Sequence, residues 1–369
     1  LFRSHGGFDV VIGNPPYVEY AKLDKTTGRS TRDEYALKGY KTEICNNLYA
    51  MVMERTERLA RSNNARTGMI LPHSGIATDR MAPLQDVLTY GTRSWLSTYC
   101  IRPAKLFVGV DQRLLITLTK RVASQDATLF STRYHRWHDS YRPCLFDSLI
   151  YCGTPPSPVP NSIPKVYASF EPSIMAKLEL NAELAFNLAP FGSHLAYYHN
   201  APRYWIRAMD FAPYFWNERH GEQLSTQVKT INLKDKLNSE AVVAVINSSL
   251  FYWWFVVLSD CRHLNMREIE NFPLGLDRMS EDTKSQLSLL AQELMNDYNR
   301  HKVRKECSYK TTGKVVYDEF YPKYSKHIID EIDRVLARHY GFTDEELDFI
   351  INYDIKYRMG INGDDEDDP

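Results

Sequence analysis

Four consecutive residues, Asn14, Pro15, Pro16 and Tyr17, carry the chemistry most easily read from this sequence. Two prolines fix the backbone, so a side-chain amide oxygen and a main-chain carbonyl are held in a set relation. An aromatic amine has two N–H donors and a lone pair delocalised into its ring. The Asn14 side-chain oxygen and the Pro15 carbonyl can accept those two hydrogens, draw the nitrogen toward tetrahedral geometry and localise its lone pair. The nitrogen can then attack a methyl sulfonium in line, without a strong general base. Tyr17 adds a ring on which a base taken out of a duplex would stack. A Pro-Pro turn that only ends a strand is the bland alternative, and position decides between the two.

The position favours chemistry. Residues 8–13 form a short apolar run ending in glycine, the pattern of a parallel strand buried on both faces, and the prolines end it. Ligands of open α/β sheets bind at the carboxyl ends of such strands. Residues 21–43 read as a long polar loop. A helix is predicted over 46–62, with Leu48, Met51, Val52, Arg55 and Leu59 at helical spacing. A second strand follows at 68–72, then a helix over 83–91 and a third strand at 113–119, an alternation that implies α/β layers. Residues 153–164 hold five prolines and read as a linker. Residues 197–216 are crowded with aromatics. Residues 239–258 predict one mostly buried helix, with Trp253 and Trp254 in its core. Amphipathic helices are predicted over 281–300, 326–340 and 343–351.

The 369 residues suggest about two to three domains of roughly 150 residues each. Hydrophobic residues make up 43% and charged residues 25%, which excludes collagen and a wholly disordered chain. The longest apolar run, Leu250 to Leu258, is far short of the roughly 20 residues of a membrane helix, and no signal peptide is visible. A cytoplasmic location and no membrane partner are expected. The six cysteines form no CxxC pair and read as packing thiols in a reducing compartment. The net charge of -1 hides an asymmetry. Residues 1–150 hold 21 Lys and Arg against 14 Asp and Glu, and residues 276–369 hold 14 against 21. The basic excess suits a polyanion partner, and the acidic run from Asp364 to Asp368 reads as a solvated tail.

The stretch Phe8 to Val18, with Asn14-Pro15-Pro16-Tyr17 at its centre, resembles the catalytic motif of adenine-N6 DNA methyltransferases of the gamma type, found in restriction–modification and phage-defence systems. Asn47-Leu48-Tyr49 resembles the family's next motif, usually Asp-Leu-Tyr. Thr67 to Pro72 resembles the following strand. Leu106-Phe107, Val110 and the strand 114–119 resemble a later motif whose aromatic helps hold the flipped base. Residues 240–274 resemble the target-recognition region. The four-residue motif is specific, the rest is loose, and the likeness covers about 1–275.

The resemblance implies an α/β fold with a partial Rossmann-like methyltransferase sheet, then an α+β target-recognition region and a helical C-terminus. Its expected divisions are the C-terminal half of a catalytic domain at 1–150, target recognition at 151–275, a helical region at 276–360 and an acidic tail at 361–369. It implies S-adenosylmethionine as cofactor and double-stranded DNA as substrate, with other restriction–modification or defence subunits as possible partners. Asn14 to Tyr17 would be catalytic, with Asn14 also at the cofactor. Phe107, Asn47 and Tyr49 would line the target-base pocket. The family's glycine-rich cofactor turn precedes Asn-Pro-Pro-Tyr, and only 13 residues precede Asn14. With Leu as first residue, the expectation is a C-terminal fragment that is inactive in isolation.

Lys22, Lys25, Arg29 and Arg32 follow the motif and suit backbone phosphates. Arg262, His263 and Asn265 suit base edges, since Arg and Asn match guanine and adenine; Arg203, Arg207 and Arg267 are further candidates. His135, His138 and Asp139 are too weak a set for a metal, and none is expected. Two rival functions share these residues. One is methylation of a protein glutamine or an RNA base, whose enzymes usually end soon after the catalytic domain. The other is a DNA-recognition module without chemistry.

Overall fold

The computed structural model describes residues 6–35, 37–189, 194–310 and 312–360, so the acidic tail at 361–369 lies outside the described residues. The chain divides into two units, Leu1–Ser169 and Phe170–Pro369.

The first unit runs β1 (Val10–Gly13), α1 (Thr31–Glu34), α2 (Leu48–Leu59), β2 (Arg66–Pro72), α3 (Ala82–Thr89), β3 (Thr92–Tyr99), β4 (Leu114–Arg121), β5 (Thr128–His135) and β6 (Cys152–Gly153). Its six strands form one sheet in the order β1-β2-β4-β3-β5-β6. β1 is parallel to β2 and β3 to β5, and the other pairings are antiparallel. The α/β expectation holds, in a mixed sheet. Two of its long strands, β3 and β5, were invisible to hydrophobic patterning because they are rich in Ser and Thr. All of those side chains but Thr128 are buried, and several bond close by. Thr92 and Ser94 both donate to the Leu88 carbonyl, and Thr67 and Thr119 meet at 2.6 Å across the β2–β4 pair.

Leu71, Leu96 and Leu115 of the sheet pack with Tyr49, Met53, Leu84 and Leu88 of α2 and α3. The buried face of α2 is therefore Tyr49, Ala50, Met53 and Thr56 rather than the predicted Leu48, Val52, Arg55 and Leu59, although Met51 is buried as expected. Glu54 turns inward on this helix because the main-chain N–H and hydroxyl of Thr42 donate to its carboxylate, at 2.9 and 2.8 Å, beside Arg58.

Among the described residues β1 pairs with β2 alone, where the sequence reads as a strand buried on both faces. Val11 packs on the core, while Val10 is 57% and Ile12 77% exposed. A Cβ at Gly68 would meet Ile12 and Leu118 side chains at 3.3 Å, so these two apolar groups share the face opposite α2. The proline-rich stretch is no linker. Val159, Ile163 and Val166 are buried, and Ile163 N–H donates to the Ile76 carbonyl at 2.8 Å. Proline needs no N–H partner, so extended chain can cross this surface without leaving its donors unmet.

The second unit contains α4 (Glu171–Glu179), β7 (His194–His199), β8 (Ala208–Met209), β9 (Phe215–Asn217), β10 (Gly221–Glu222), β11 (Val228–Leu233), α5 (Lys236–Asn247), α6 (Ser249–Leu258), α7 (Met266–Glu270), α8 (Glu281–His301), β12 (Val303–Tyr309), β13 (Gly313–Glu319), α9 (Lys326–Tyr340), α10 (Asp344–Ile351) and α11 (Ile355–Arg358). Its strands form two antiparallel sheets, β11-β7-β8 and β10-β9-β13-β12. The β12–β13 hairpin interrupts what reads as a wholly helical C-terminus; its charged, half-exposed residues lack an apolar stripe.

The single helix predicted over 239–258 is two, bent by 65° at Ser248. The Ser248 hydroxyl accepts from Phe251 N–H at 3.0 Å and caps the second. Asp333 takes the next two amides, Ser249 at 3.1 Å and Leu250 at 3.0 Å, and Arg358 donates to the Ser249 hydroxyl at 3.1 Å. Trp253 and Trp254 are core residues, as expected. No single described helix is long and apolar enough to cross a membrane; α5 and α6 together have the length and composition, but every residue of Leu250–Leu258 is buried in the protein. Of the six cysteines, Cys45, Cys100 and Cys261 are buried, while Cys144 is exposed and not a packing thiol.

Asp333→Ala is expected to lower stability by about 3 kcal/mol, because it strips two buried amides of a charged acceptor. Urea unfolding followed by tryptophan fluorescence checks this; a loss under half that size would mean water replaces the carboxylate.

Candidate active site

The site begins where β1 ends. Gly13 pairs with Met69 of β2, and a Cβ on Gly13 would stand 3.3 Å from the Met69 sulfur, so the strand leaves the sheet through a close contact. Asn14 and Pro16 are exposed, Pro15 is buried and Tyr17 is half-buried. Tyr17 folds back beneath the turn. Its Oη lies 2.9 Å from Asn14 Oδ1 and 3.0 Å from the Ile70 carbonyl of β2, and its hydroxyl donates to them. Its ring stands edge-on to Tyr49 at 6.2 Å. Burial pushes the Tyr17 phenol up to about 12, so it remains a protonated donor at neutral pH. The Asn14 amide is thereby exposed yet oriented, with its oxygen toward Tyr17 and one oxygen lone pair still available.

The residues that follow are stitched to the start of α2. Leu48 N–H donates to the Val18 carbonyl at 3.0 Å, and Tyr20 N–H to the Asn46 carbonyl at 3.0 Å. Asn47 is the N-terminal cap residue of α2 and is half-buried, with Nδ2 3.4 Å from the Cys45 carbonyl. Tyr49 is only 2% exposed and sits in the core, its hydroxyl 3.5 Å from the Met81 sulfur and its phenol pushed up to about 12 by burial. It reaches the site through the Tyr17 ring.

Sheet register gathers more of the sequence to this end. Pro72 and Tyr99 both stand opposite Leu114, so the carboxyl ends of β1, β2 and β3 and the start of β4 share one rim. The loop between β3 and β4 carries Phe107, 39% exposed, and Val108, 93% exposed. Arg142 braces it by donating to the carbonyls of Leu106 at 3.0 Å and Lys105 at 2.7 Å, while Lys105 pairs with Asp111. The bracing role of Arg142 had no sequence signal, since it depends on two distant carbonyls.

The segment after the motif is shaped rather than loose. Asp24 Oδ1 accepts from the amides of Thr26 at 2.9 Å and Thr27 at 2.8 Å, and these bonds hold its carboxyl below the usual range. Leu23 bridges Ser30. Lys22, Lys25 and Arg29 are exposed on this finger, and Arg32 is exposed 3.8 Å from Glu43.

In the second unit, Arg262, His263 and Asn265 share one turn before α7. Asp260 accepts from the amides of Arg262 at 2.8 Å and His263 at 3.2 Å, and Asn265 Nδ2 donates to the His263 carbonyl at 3.2 Å. Arg262 and Asn265 are exposed and His263 is half-buried. Arg267 is instead tied to the buried Glu268 at 3.0 Å. This unit also holds a cavity of about 530 Å³, lined in part by His199, Arg203 and Arg207.

Residues 1–93 match the family model described as Eco57I restriction-modification methylase, and the likeness read from Asn14 to Tyr17 holds over that stretch. No curated protein matches the chain. Among solved structures, the Type IIL restriction-modification enzyme MmeI in complex with DNA is similar over 96% of this chain and 57% of its own, at 9% identity and a TM-score of 0.51. The ATP-dependent Type ISP restriction-modification enzyme LlaBIII bound to DNA is similar over 86% of this chain and 33% of its own, at 10% identity and a TM-score of 0.37. The first likeness shows a shared fold. In each case this chain spans less than two thirds of the protein it matches.

Tyr17→Phe is expected to cost about 1 kcal/mol, because the Ile70 carbonyl and Asn14 Oδ1 lose their donor. Asn14→Ala, at an exposed side chain, is expected to cost less than half of that. Chemical denaturation of both variants checks the order; the reverse order would mean that Asn14 is structural.

Proposed function

We propose, from a first quarter that matches the restriction–modification methylases, that this chain carries the amine-activating motif and a recognition portion of a DNA methyltransferase. Its target is N6 of adenine in double-stranded DNA, turned out of the duplex, and its setting is a restriction–modification or phage-defence system. The observation that supports this most is the Asn14 amide, exposed at the rim and oriented by Tyr17 Oη at 2.9 Å. Asn14 Oδ1 and the Pro15 carbonyl accept the two N6 hydrogens and localise the nitrogen lone pair. Tyr17 keeps its own proton and fixes Asn14. After transfer, the extra N6 proton leaves to solvent past the exposed Asn14. Phe107, on the same rim, flanks the extruded base, and Asn47 sets the start of α2 behind the motif.

S-adenosylmethionine, when bound, supplies the electrophilic methyl group. Asn14 fits the reacting edge of its site. Among the described residues, no strand of the first unit passes through a glycine-rich turn into a helix, so these residues do not build the rest of its pocket. Lys22, Lys25 and Arg29 suit backbone phosphates from their finger, and Arg262, His263 and Asn265 suit base edges from their turn.

The full gene product, incubated with double-stranded DNA and labelled S-adenosylmethionine, is expected to yield N6-methyladenine by mass spectrometry, and its Asn14→Ala variant none. Label on a protein glutamine or an RNA base instead, or no label from folded protein that binds the cofactor, would overturn the reading. Removing Lys22 and Lys25 together is expected to reduce the slope of log affinity against log salt by about 2, close to one per phosphate contact. An unchanged slope in a filter-binding titration would remove the finger from the DNA interface.

A further inference from the structure

The cavity of about 530 Å³ in the second unit has the size of a small-molecule site. Residues of the β7–β8 hairpin and of β13 line it. Arg207 is half-buried in its wall, and among the described residues its guanidinium makes no hydrogen bond and no ion pair. A guanidinium partly withdrawn from water is unfavourable until an anion meets it, and its fork suits phosphate.

The neighbours do not supply that anion. Asp318 takes Lys302 at 3.1 Å together with Arg304, and Glu319 takes Lys305 at 3.6 Å and the Tyr321 hydroxyl at 2.9 Å. His199 is neutral: burial first and the Arg207 charge next hold it down at about 3. Its Nδ1 accepts from Ala201 N–H at 3.3 Å, so it offers neither a negative charge nor a competing cation. The rest of the wall offers rings. Tyr204 is buried against the cavity, and Tyr214 and Tyr317 are half-buried beside it, with Arg304 lying over the Tyr214 ring at 3.8 Å.

We propose that this cavity binds one nucleoside monophosphate unit, with the phosphate on Arg207 and the base against the tyrosine rings. The choice of a nucleotide among aromatic anions rests on the methyltransferase reading, whereas the anion-plus-ring chemistry rests on the cavity alone. Such a site would hold a nucleotide displaced from stacking, where aromatic faces accept any base.

Calorimetric titration of the 369-residue chain with the four deoxynucleoside 5′-monophosphates tests this, with deoxynucleosides and inorganic phosphate as the other two probes. The monophosphates are expected to bind more tightly than either probe. Arg207→Gln is expected to weaken them about tenfold, and Arg207→Lys, which keeps the charge but loses the fork, by less. Tyr317→Ala is expected to bring the monophosphate down toward the affinity of inorganic phosphate. The titration needs no methyl donor and Arg207 has no part in the Asn14 chemistry, so failure of methyl transfer and failure of this site are read separately. Equal affinity for inorganic phosphate would reduce the cavity to an anion site. No monophosphate binding, or binding unaltered in both Arg207 variants with an unchanged unfolding curve, would overturn the proposal.

Discussion

The hydroxyl of Tyr17 has one hydrogen and stands within 3.0 Å of two acceptors, Asn14 Oδ1 and the Ile70 carbonyl. Around that hydrogen the first unit organises its rim. Ile70 belongs to β2, so the bond ties the turn to the sheet. The Tyr17 ring meets Tyr49, so the same side chain ties the turn to α2 and the core. A single hydrogen bond of this kind contributes only about 1 kcal/mol to stability. Its larger effect is geometric. An exposed asparagine would otherwise sample several rotamers, and in the proposed reaction the rate depends on the fraction of time its oxygen points at the amine.

Both units bury polar side chains, Glu54 and Lys165 in the first among them. The first hides Ser and Thr hydroxyls in β3 and its neighbours, where each finds a carbonyl or another hydroxyl close by. The second buries full charges. Asp333 receives two helix-start amides, and Arg358 lies 3.9 Å above the Trp205 ring and 4.6 Å above that of Tyr252. That cluster fixes the 65° bend between α5 and α6. Arg207 stands apart from it. Among the described residues its half-buried guanidinium makes no hydrogen bond and no ion pair.

Much of the candidate site was legible because its residues are contiguous. Asn14 to Tyr17 lie within four positions, and two prolines after an apolar run declare the end of a strand wherever they occur. The basic finger was legible in its residue types, though not in its shape, which depends on Asp24 collecting the amides of Thr26 and Thr27. Tyr49 looked like a pocket residue from its place beside Asn47 and Leu48. It is buried in the core with its ring against Tyr17, because α2 presents Tyr49, Ala50 and Met53 inward. The bracing by Arg142 could not be found from the sequence, since the two carbonyls it holds lie more than thirty positions away.

Local covalent constraint let the sequence alone specify the motif, the strand ends at Pro72 and Pro15, the alternation of layers and the amphipathic helices α8, α9 and α10. Proline geometry and helical periodicity act over a few residues and do not wait for the fold. Tertiary structure decided the rest. It set β1 beside β2 and β3 between β4 and β5, because neighbours on a sheet are set by long-range pairing. It drew the proline-rich stretch 153–164 onto the first unit, because Val159 and Ile163 found apolar surface there. Among the described residues it left Arg207 without an ion pair in a cavity wall, because whether a charge has a partner depends on which distant carboxylates have already been taken.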